Sequence, residues 1–479
     1  MRETTITTDK NNFVFPPRKP RSDRGDVVFT SCSRCFPIDT QAIRNKILDL
    51  AIRGKLTEQL PEDGSAEELY RQIQKEKQTL VKAGKIKKEK PLSEITVDEE
   101  PFGIPENWYA CHVSDINFFV PETTNPLNNP ETIYELFSVP VFFTGQPEIL
   151  KGERIASTKQ LLQENDVLVC KINPRINRVW RVTKHTDFTL IGSSEWIPFR
   201  NSKLDAQYMC YYFQSPFFRL YMLSNLTGVG GSLTRAKPEK FKRYPVFLPP
   251  LAEQHRIVER IDQAFSILDT IDALQAQYAD NLTVLKSKLL EAAIQGKLVP
   301  RGPEPWKTVK LGDIAESVNV GIVIRPTRYY VPPGEGTPAF RNCNIRQGAV
   351  DDGELVWLNA DAARENPRAV VKTGDILIAR SGTPGNCCIV PEACDGWGAV
   401  DIVIVRLRQD LADPRYVKAF ICSPTAQKAF LSMSRGVALS HLGATAVASL
   451  PISLPPLDEQ RCIAAKLEAL LSLCEGQKR

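Results

Sequence analysis

The sequence predicts an α+β protein: two pseudo-symmetric globular α/β units separated by a long antiparallel helical (coiled-coil) spacer. Three observations predict it. Short motifs recur in the same order about 200 residues apart, too long a period for a solenoid and right for a duplicated domain. An apolar stripe at 3-4 spacing runs through residues 257–292. The segments between the motifs read as short strands mixed with short helices.

The elements follow in order. Residues 1–36 are polar and aperiodic, a flexible tail. Residues 37–60 hold an N-terminal helix, KILDLAIRGKL, with Ile43, Ile47 and Leu50 as its stripe before Gly54. Residues 61–100 read as a charged helical linker, opened by a Ser65–Glu68 capping box and followed by lysines at 82, 85, 87, 88 and 90. That lysine run is a solvated face or a nucleic-acid contact. Residues 101–250 form the first unit, with WYACHVSDI at Trp108–Ile116, a buried strand Val167–Cys170 and a helical stretch 206–223 interrupted at Pro216.

Residues 251–300 are the central helix. Pro249-Pro250 precede LAEQ, Gly296 suits the left-handed C′ position and Pro300 blocks continuation. Its stripe is Ile257, Ile261, Ala264, Leu268, Ile271, Gln275, Tyr278, Leu282, Leu285, Leu289 and Ala292. At 1.5 Å per residue it spans about 67 Å, long enough to require a partner. Residues 301–456 repeat the first unit, with WKTVKLGDI at Trp306–Ile314, a strand Ile376–Ala379 and a helical stretch 415–431 interrupted at Pro424. Residues 457–479 form a C-terminal helix with Ile463, Leu467, Leu470 and Cys474 in its stripe. LPPLAEQ precedes one helix and LPPLDEQ the other; AIRGKL ends the N-terminal helix and AIQGKL the central one. The two terminal helices, laid antiparallel to the central one, therefore rebuild a second copy of it.

Composition bounds the function. The 479 residues allow about two to four domains. At 42% hydrophobic and 24% charged the chain is an ordinary globular protein. It contains no apolar run of about 18 residues, so no membrane span is expected, and no signal-peptide core, so a cytoplasmic location is. The +5 charge, from 61 basic and 56 acidic residues, permits nucleic acid without demanding it. Twelve cysteines are too few for a disulfide scaffold. Cys32 and Cys35 lack the two further ligands zinc needs, and His112, His185, His255 and His441 are scattered, so no metal is expected.

No phosphate loop, dinucleotide fingerprint, nucleophile elbow or zincin motif is present. Gly228–Ser232 is glycine-rich but follows an aromatic segment, and Glu195 and Asp401 are acids without a spaced partner. No catalytic residue is expected. Each unit does offer polar, basic loops beside the matching strand. In the first these carry Lys171, Asn173, Arg175, Asn177, Arg178 and Arg181, then Arg235, Lys237, Lys240, Lys242 and Arg243. In the second they carry Arg341, Asn342, Asn344, Arg346, Arg380, Ser381, Thr383, Arg435, Ser440 and His441. Arg and Asn suit guanine and adenine edges, and Lys and Ser/Thr suit phosphate, so these are the candidate DNA-binding residues.

Over about residues 37–479 the chain resembles the specificity subunit of type I restriction-modification systems. The doubled LPPL-x-EQ, the doubled AI-x-GKL and GDILIARSGTPGN carry the resemblance; KINPRINRVW in the first unit departs from it. The resemblance implies two target recognition domains, each reading half of a bipartite site in double-stranded DNA. It implies helices that dock two methyltransferase (modification) subunits, with Glu253, Gln254, Glu459 and Gln460 at the family motif as docking candidates. S-adenosylmethionine and ATP then belong to the modification and restriction (endonuclease/translocase) subunits, and this chain itself is non-catalytic and holds no cofactor. The alternative is a coiled-coil scaffold with duplicated interaction domains, which does not need basic, Asn-rich loops in both units.

Overall fold

In the computed structural model, which describes residues 37–86, 92, 95, 102–224, 226–227, 234–434 and 442–474, each helix end has a local cause. Asp39 accepts from the Ala42 amide and opens the helix Thr40–Ile52. Gly54, at φ 64°, takes the chain out of it. A Cβ there would lie 2.4 Å from Pro105 Cγ, and one on Gly296 (φ 68°) would lie 2.7 Å from Trp306 Cζ2. Each repeated glycine thus both ends a helix and admits an indole or its neighbour. The tail 1–36 with Cys32 and Cys35, Lys87, Lys88, Lys90 and Gly228–Ser232 lie outside the described residues.

The chain divides into two compact units, Pro37–Asp280 and Asn281–Arg479. In the first unit, Tyr109–His112 pairs antiparallel with Pro245–Leu248. A five-stranded sheet runs in the order Thr123–Thr124, Lys159–Leu161, Thr189–Gly192, Ile133–Phe137, Glu148–Lys151. A three-stranded sheet places Val167–Cys170 between Val179–Arg181 and Trp196–Phe199. Helices Ala206–Gln214 and Pro216–Leu223 pack beside them, and the break falls at Ser215-Pro216 because Ser215 caps the second.

Ala66–Lys82, expected as a linker, is packed into this unit. Ala66 and Ile73 are fully buried in its main core, and Gln74 Nε2 and Lys77 Nζ donate to the Asp115 and Ser114 carbonyls. Only half of the expected capping box forms: Ser65 accepts from the Glu67 amide, while Glu68 accepts from Gln72.

The second unit repeats the plan. Lys307–Lys310 pairs with Pro451–Leu454, and Ile376–Ala379 lies between Cys387–Ile389 and Ile402–Leu407. Helices Pro414–Cys422 and Pro424–Ser434 break at the matching Ser-Pro. The duplication extends to a buried ion pair. Asp166, just before its strand, meets Arg200 at 2.6 Å, where Val167 pairs with Phe199; Asp375 meets Arg406 at 2.7 Å, where Ile376 pairs with Val405.

The central helix spans Leu251–Ile294. Its stripe is not one continuous seam. Ile257, Ile261 and Leu268 are buried in the first unit, and Ala293 and Ile294 in the second, but Tyr278 and Leu285 between them are exposed. The reason is reach. The N-terminal helix runs antiparallel along the first half, with Thr57 at Glu253, Arg44 at Asp269 and Thr40 at Asp272, and its start stops at Gln275, bonded to Ile38. That helix also turns a different face inward: Leu48, Ala51 and Ile52 are buried, while Ile43 is exposed. In the second unit Ile463 and Leu467 share the core with Ala293 and Ile294, as their stripe predicts.

Candidate nucleic-acid interface

In the first unit the fold joins the two basic stretches that lie about 60 residues apart in the sequence. Ile172 bridges Arg235, the Asn173 amide donates to the Thr234 carbonyl at 2.9 Å, and the Ala236 amide donates to the Lys171 carbonyl at 2.8 Å. Asn173 (φ 46°) and Asn177 (φ 51°) are left-handed on either side of the turn Pro174–Ile176, a conformation Asn tolerates better than most residues. Arg175 and Lys237 are exposed, and Lys171, Asn173, Arg178 and Lys240 are half-buried.

Glu195, an acid with no partner by spacing, stands at the centre. Its carboxylate is 3.1 Å from Arg235 Nη2 and 3.8 Å from Lys171 Nζ, and Lys171 also donates to the Ser194 carbonyl. Arg235 is exposed, so this pair is worth little and opens readily to a phosphate. Arg178 Nη1 donates to the Ile172 carbonyl, and its guanidinium lies 5.5 Å from the ring centre of Phe143, a residue no sequence pattern singled out.

In the second unit several of the expected readers are engaged within the fold. Asp401, held at φ 53°, is the hub rather than a lone acid. Its carboxylate takes Arg380 Nη1 at 2.7 Å, and its carbonyl takes Asn342 Nδ2 at 2.8 Å. Arg380 Nε donates to the Leu442 carbonyl, and only 14% of its side chain is exposed. Asn342 Oδ1 accepts the Arg380 and Ser381 amides. Asn344 is buried, accepting from the Arg341 amide and donating to the Asp351 and Gly353 carbonyls. Arg341 Nη2 donates to the Glu354 carbonyl. These side chains satisfy the backbone of a loop that has no ladder of its own, so Asn342, Asn344 and Arg380 shape the surface instead of presenting base-reading groups. Arg346, paired to Asp351, and Thr383, accepting from Asn386, remain exposed. Arg435, Ser440 and His441 lie outside the described residues.

The docking candidates form a repeated internal latch. Glu253 accepts from the Trp108 indole at 2.9 Å and from Gln59 and Thr57; Glu459 accepts from the Trp306 indole at 3.1 Å. Gln254 accepts the Asp205 amide and donates to the Pro249 carbonyl; Gln460 accepts the Asp413 amide and donates to the Leu411 and Pro455 carbonyls. Glu253, Gln254 and Gln460 are fully buried, and Glu459 is half-buried. They fasten each unit to the first turn of its helix. Among the described residues no cluster of His, Cys, Asp or Glu has the makings of a metal site, and no helix is long and apolar enough to cross a membrane.

Residues 303–479 match the type I restriction modification DNA specificity domain. The chain is 27% identical to the type I restriction enzyme EcoEI specificity subunit of Escherichia coli, across 91% of this chain and 90% of that protein. Over nearly its whole length the chain is thus similar to a type I specificity subunit, and residues 303–479 carry the matching DNA specificity domain. It is also 30% identical to the EcoAI specificity subunit of Escherichia coli, across 56% of this chain and 46% of that protein. A chain solved in work on complex assembly and conformational transition of the type I R-M system superposes with a TM-score of 0.65, at 19% identity, over 78% of this chain and 93% of the other. That likeness concerns the fold: mixed α/β units with a long helix between their sequences.

Proposed function

We propose that this specificity subunit reads the two halves of a bipartite site in double-stranded DNA, one with each α/β unit, for a type I restriction-modification complex. The observation that carries the reading is the repetition itself. Both units set a buried Asp–Arg pair at the start of a central strand and a polar, basic loop at its end. A scaffold has no need of the same loop twice. In the first unit the loops 171–178 and 234–240 form one basic surface, suited to phosphate contact with base edges between. In the second, Arg346 and Thr383 are the exposed members of the set among the described residues.

The chain supplies recognition and no reaction step. Two modification subunits carry S-adenosylmethionine and the methyl transfer, and restriction subunits carry ATP hydrolysis and cleavage. Surfaces other than the buried Glu-Gln latches hold those partners, and the exposed middle of the central helix is available to them.

The test is co-expression with the modification subunit followed by methylome sequencing. A bipartite motif that depends on this chain is expected. Exchanging residues 101–250 for those of another family member should change one half-site and keep the other; change in both halves would break the modular reading.

A further inference from the structure

We infer that Phe143 reads a base in the half-site recognised by the first unit, by packing against the 5-methyl group of a thymine. The inference rests on the DNA-reading function proposed above.

Phe143 is 70% exposed, the most exposed phenylalanine among the described residues. Its exposure is not the slackness of a loose loop. It sits in the tight turn Pro140–Thr144, where Pro140 fixes the first position. Thr144 Oγ1 donates to the Val141 carbonyl at 2.7 Å, and Gly145, at φ 69°, closes the turn onto the Phe142 carbonyl. Phe142 anchors the turn, its ring edge-on to Trp180 at 5.9 Å and 6.2 Å from Trp196. The adjacent Phe143 ring packs edge-to-face on Phe142 at 5.3 Å, so it is braced on the cluster that holds its neighbour while most of it stays exposed.

Besides Phe142, Phe143 meets Arg178, whose guanidinium lies 5.5 Å from its ring centre. Arg178 belongs to the loop that also carries Lys171, Asn173 and Arg175. A single exposed phenyl ring beside a basic loop, whose own exposed large apolar side chain is Ile176, does not make the broad apolar patch of a protein docking face. It does match the major groove, where guanidinium and amide groups meet base edges and apolar groups meet the thymine methyl. Arg178 covers one face of the ring, so Phe143 is not free to slide between two bases, which needs both faces. The part of the ring left exposed beyond Arg178 and Phe142 is what a methyl group meets.

The experiment uses the full chain in complex with its modification subunit. Methylome sequencing defines the motif, and exchange of residues 101–250 shows which half-site the first unit reads. Duplexes with deoxyuridine in place of each thymine of that half-site then remove one 5-methyl group at a time. At one position uracil should weaken wild-type binding about fourfold, the scale of one buried methyl group. There Phe143→Ala should bind thymine and uracil equally, Phe143→Leu should keep part of the preference, and the other half-site should not change. A half-site without thymine, no uracil-sensitive position, or equal sensitivity in wild type and Phe143→Ala overturns the inference and leaves DNA reading intact. A Phe143→Ala chain that no longer assembles with the modification subunit assigns the ring to a protein contact and overturns it as well. A wild-type complex that methylates no bipartite motif instead overturns the function on which the inference rests.

Discussion

Arg200→Met should destabilise the first unit more than Asp166→Asn, although both remove the same ion pair. Asp166 is fully buried and accepts from Arg200 Nε and Nη2 at 2.6 Å each and from the Gln163 amide at 2.8 Å. Methionine keeps the aliphatic stem but leaves that carboxylate in the interior with one donor. Removing the partner of a buried charge costs about 3–5 kcal/mol. The reverse change is milder. Arg200 is 25% exposed and rests over Phe119, so it turns to water, while asparagine keeps an acceptor for the Gln163 amide. About 1–2 kcal/mol is expected there. Against a total of about 5–15 kcal/mol the difference is large. Because the chain holds two compact units, hydrogen exchange is the assay: amides of 167–170 and 196–199 report the first unit, and those of 376–379 serve as the internal reference. Arg406→Met and Asp375→Asn should show the same order in the second unit, where Asp375 is the buried partner. Equal costs, or a larger cost for the asparagine variants, would refute the reasoning.

Arg380→Ala should destabilise the second unit by about 1.5–3 kcal/mol, since it frees Asp401 and the Leu442 carbonyl. Arg346→Ala should stay within about 0.5 kcal/mol of wild type and lower DNA affinity, so calorimetry and a binding titration should rank the two variants oppositely. The hydrogen bonds of Arg256 hold the Asp63 carboxyl below its ordinary 3.8, so this pair stabilises fully above that pH and less as pH falls through the lowered value. The stability gap between wild type and Arg256→Gln should therefore be widest at neutral pH and shrink in acid; urea titrations near pH 7 and pH 3 giving the same gap would contradict it. Burial pushes the Cys210 thiol up to about 12, while Cys343 and Cys462 are exposed, so among the cysteines of the described residues a thiol reagent should modify those two first, as peptide mass mapping reads directly.

Much of the fold was legible because its signals are local. Val167–Cys170 and Ile376–Ala379 are apolar runs long enough for one buried strand each. Pro216 and Pro424 break helices through their own missing amides, and Gly296 ends one through its own φ. The twin order of motifs predicted twin units before any contact was known. The candidate site was legible only in part. Loops 171–178 and 234–240 were each visible as basic, but their meeting at Glu195 depends on the bridge between Ile172 and Arg235.

Tertiary structure decided which polar residues face out. Asparagine beside arginine has the same composition whether it reads a base or caps a loop. Asn342 and Asn344 cap because Asp401, Asp351 and Gly353 fold against them. The EQ pairs, docking candidates by resemblance, form internal latches because Trp108 and Trp306, brought from the start of each unit, donate to their glutamates. The heptad stripe predicted a seam, but a seam needs a second helix of equal length, and the N-terminal helix stops at Gln275. Periodicity, caps and repeats were therefore determined by the sequence itself, since each acts through neighbouring residues. Whether a polar or apolar side chain was exposed waited on the tertiary structure, since its partner comes from a distant part of the chain.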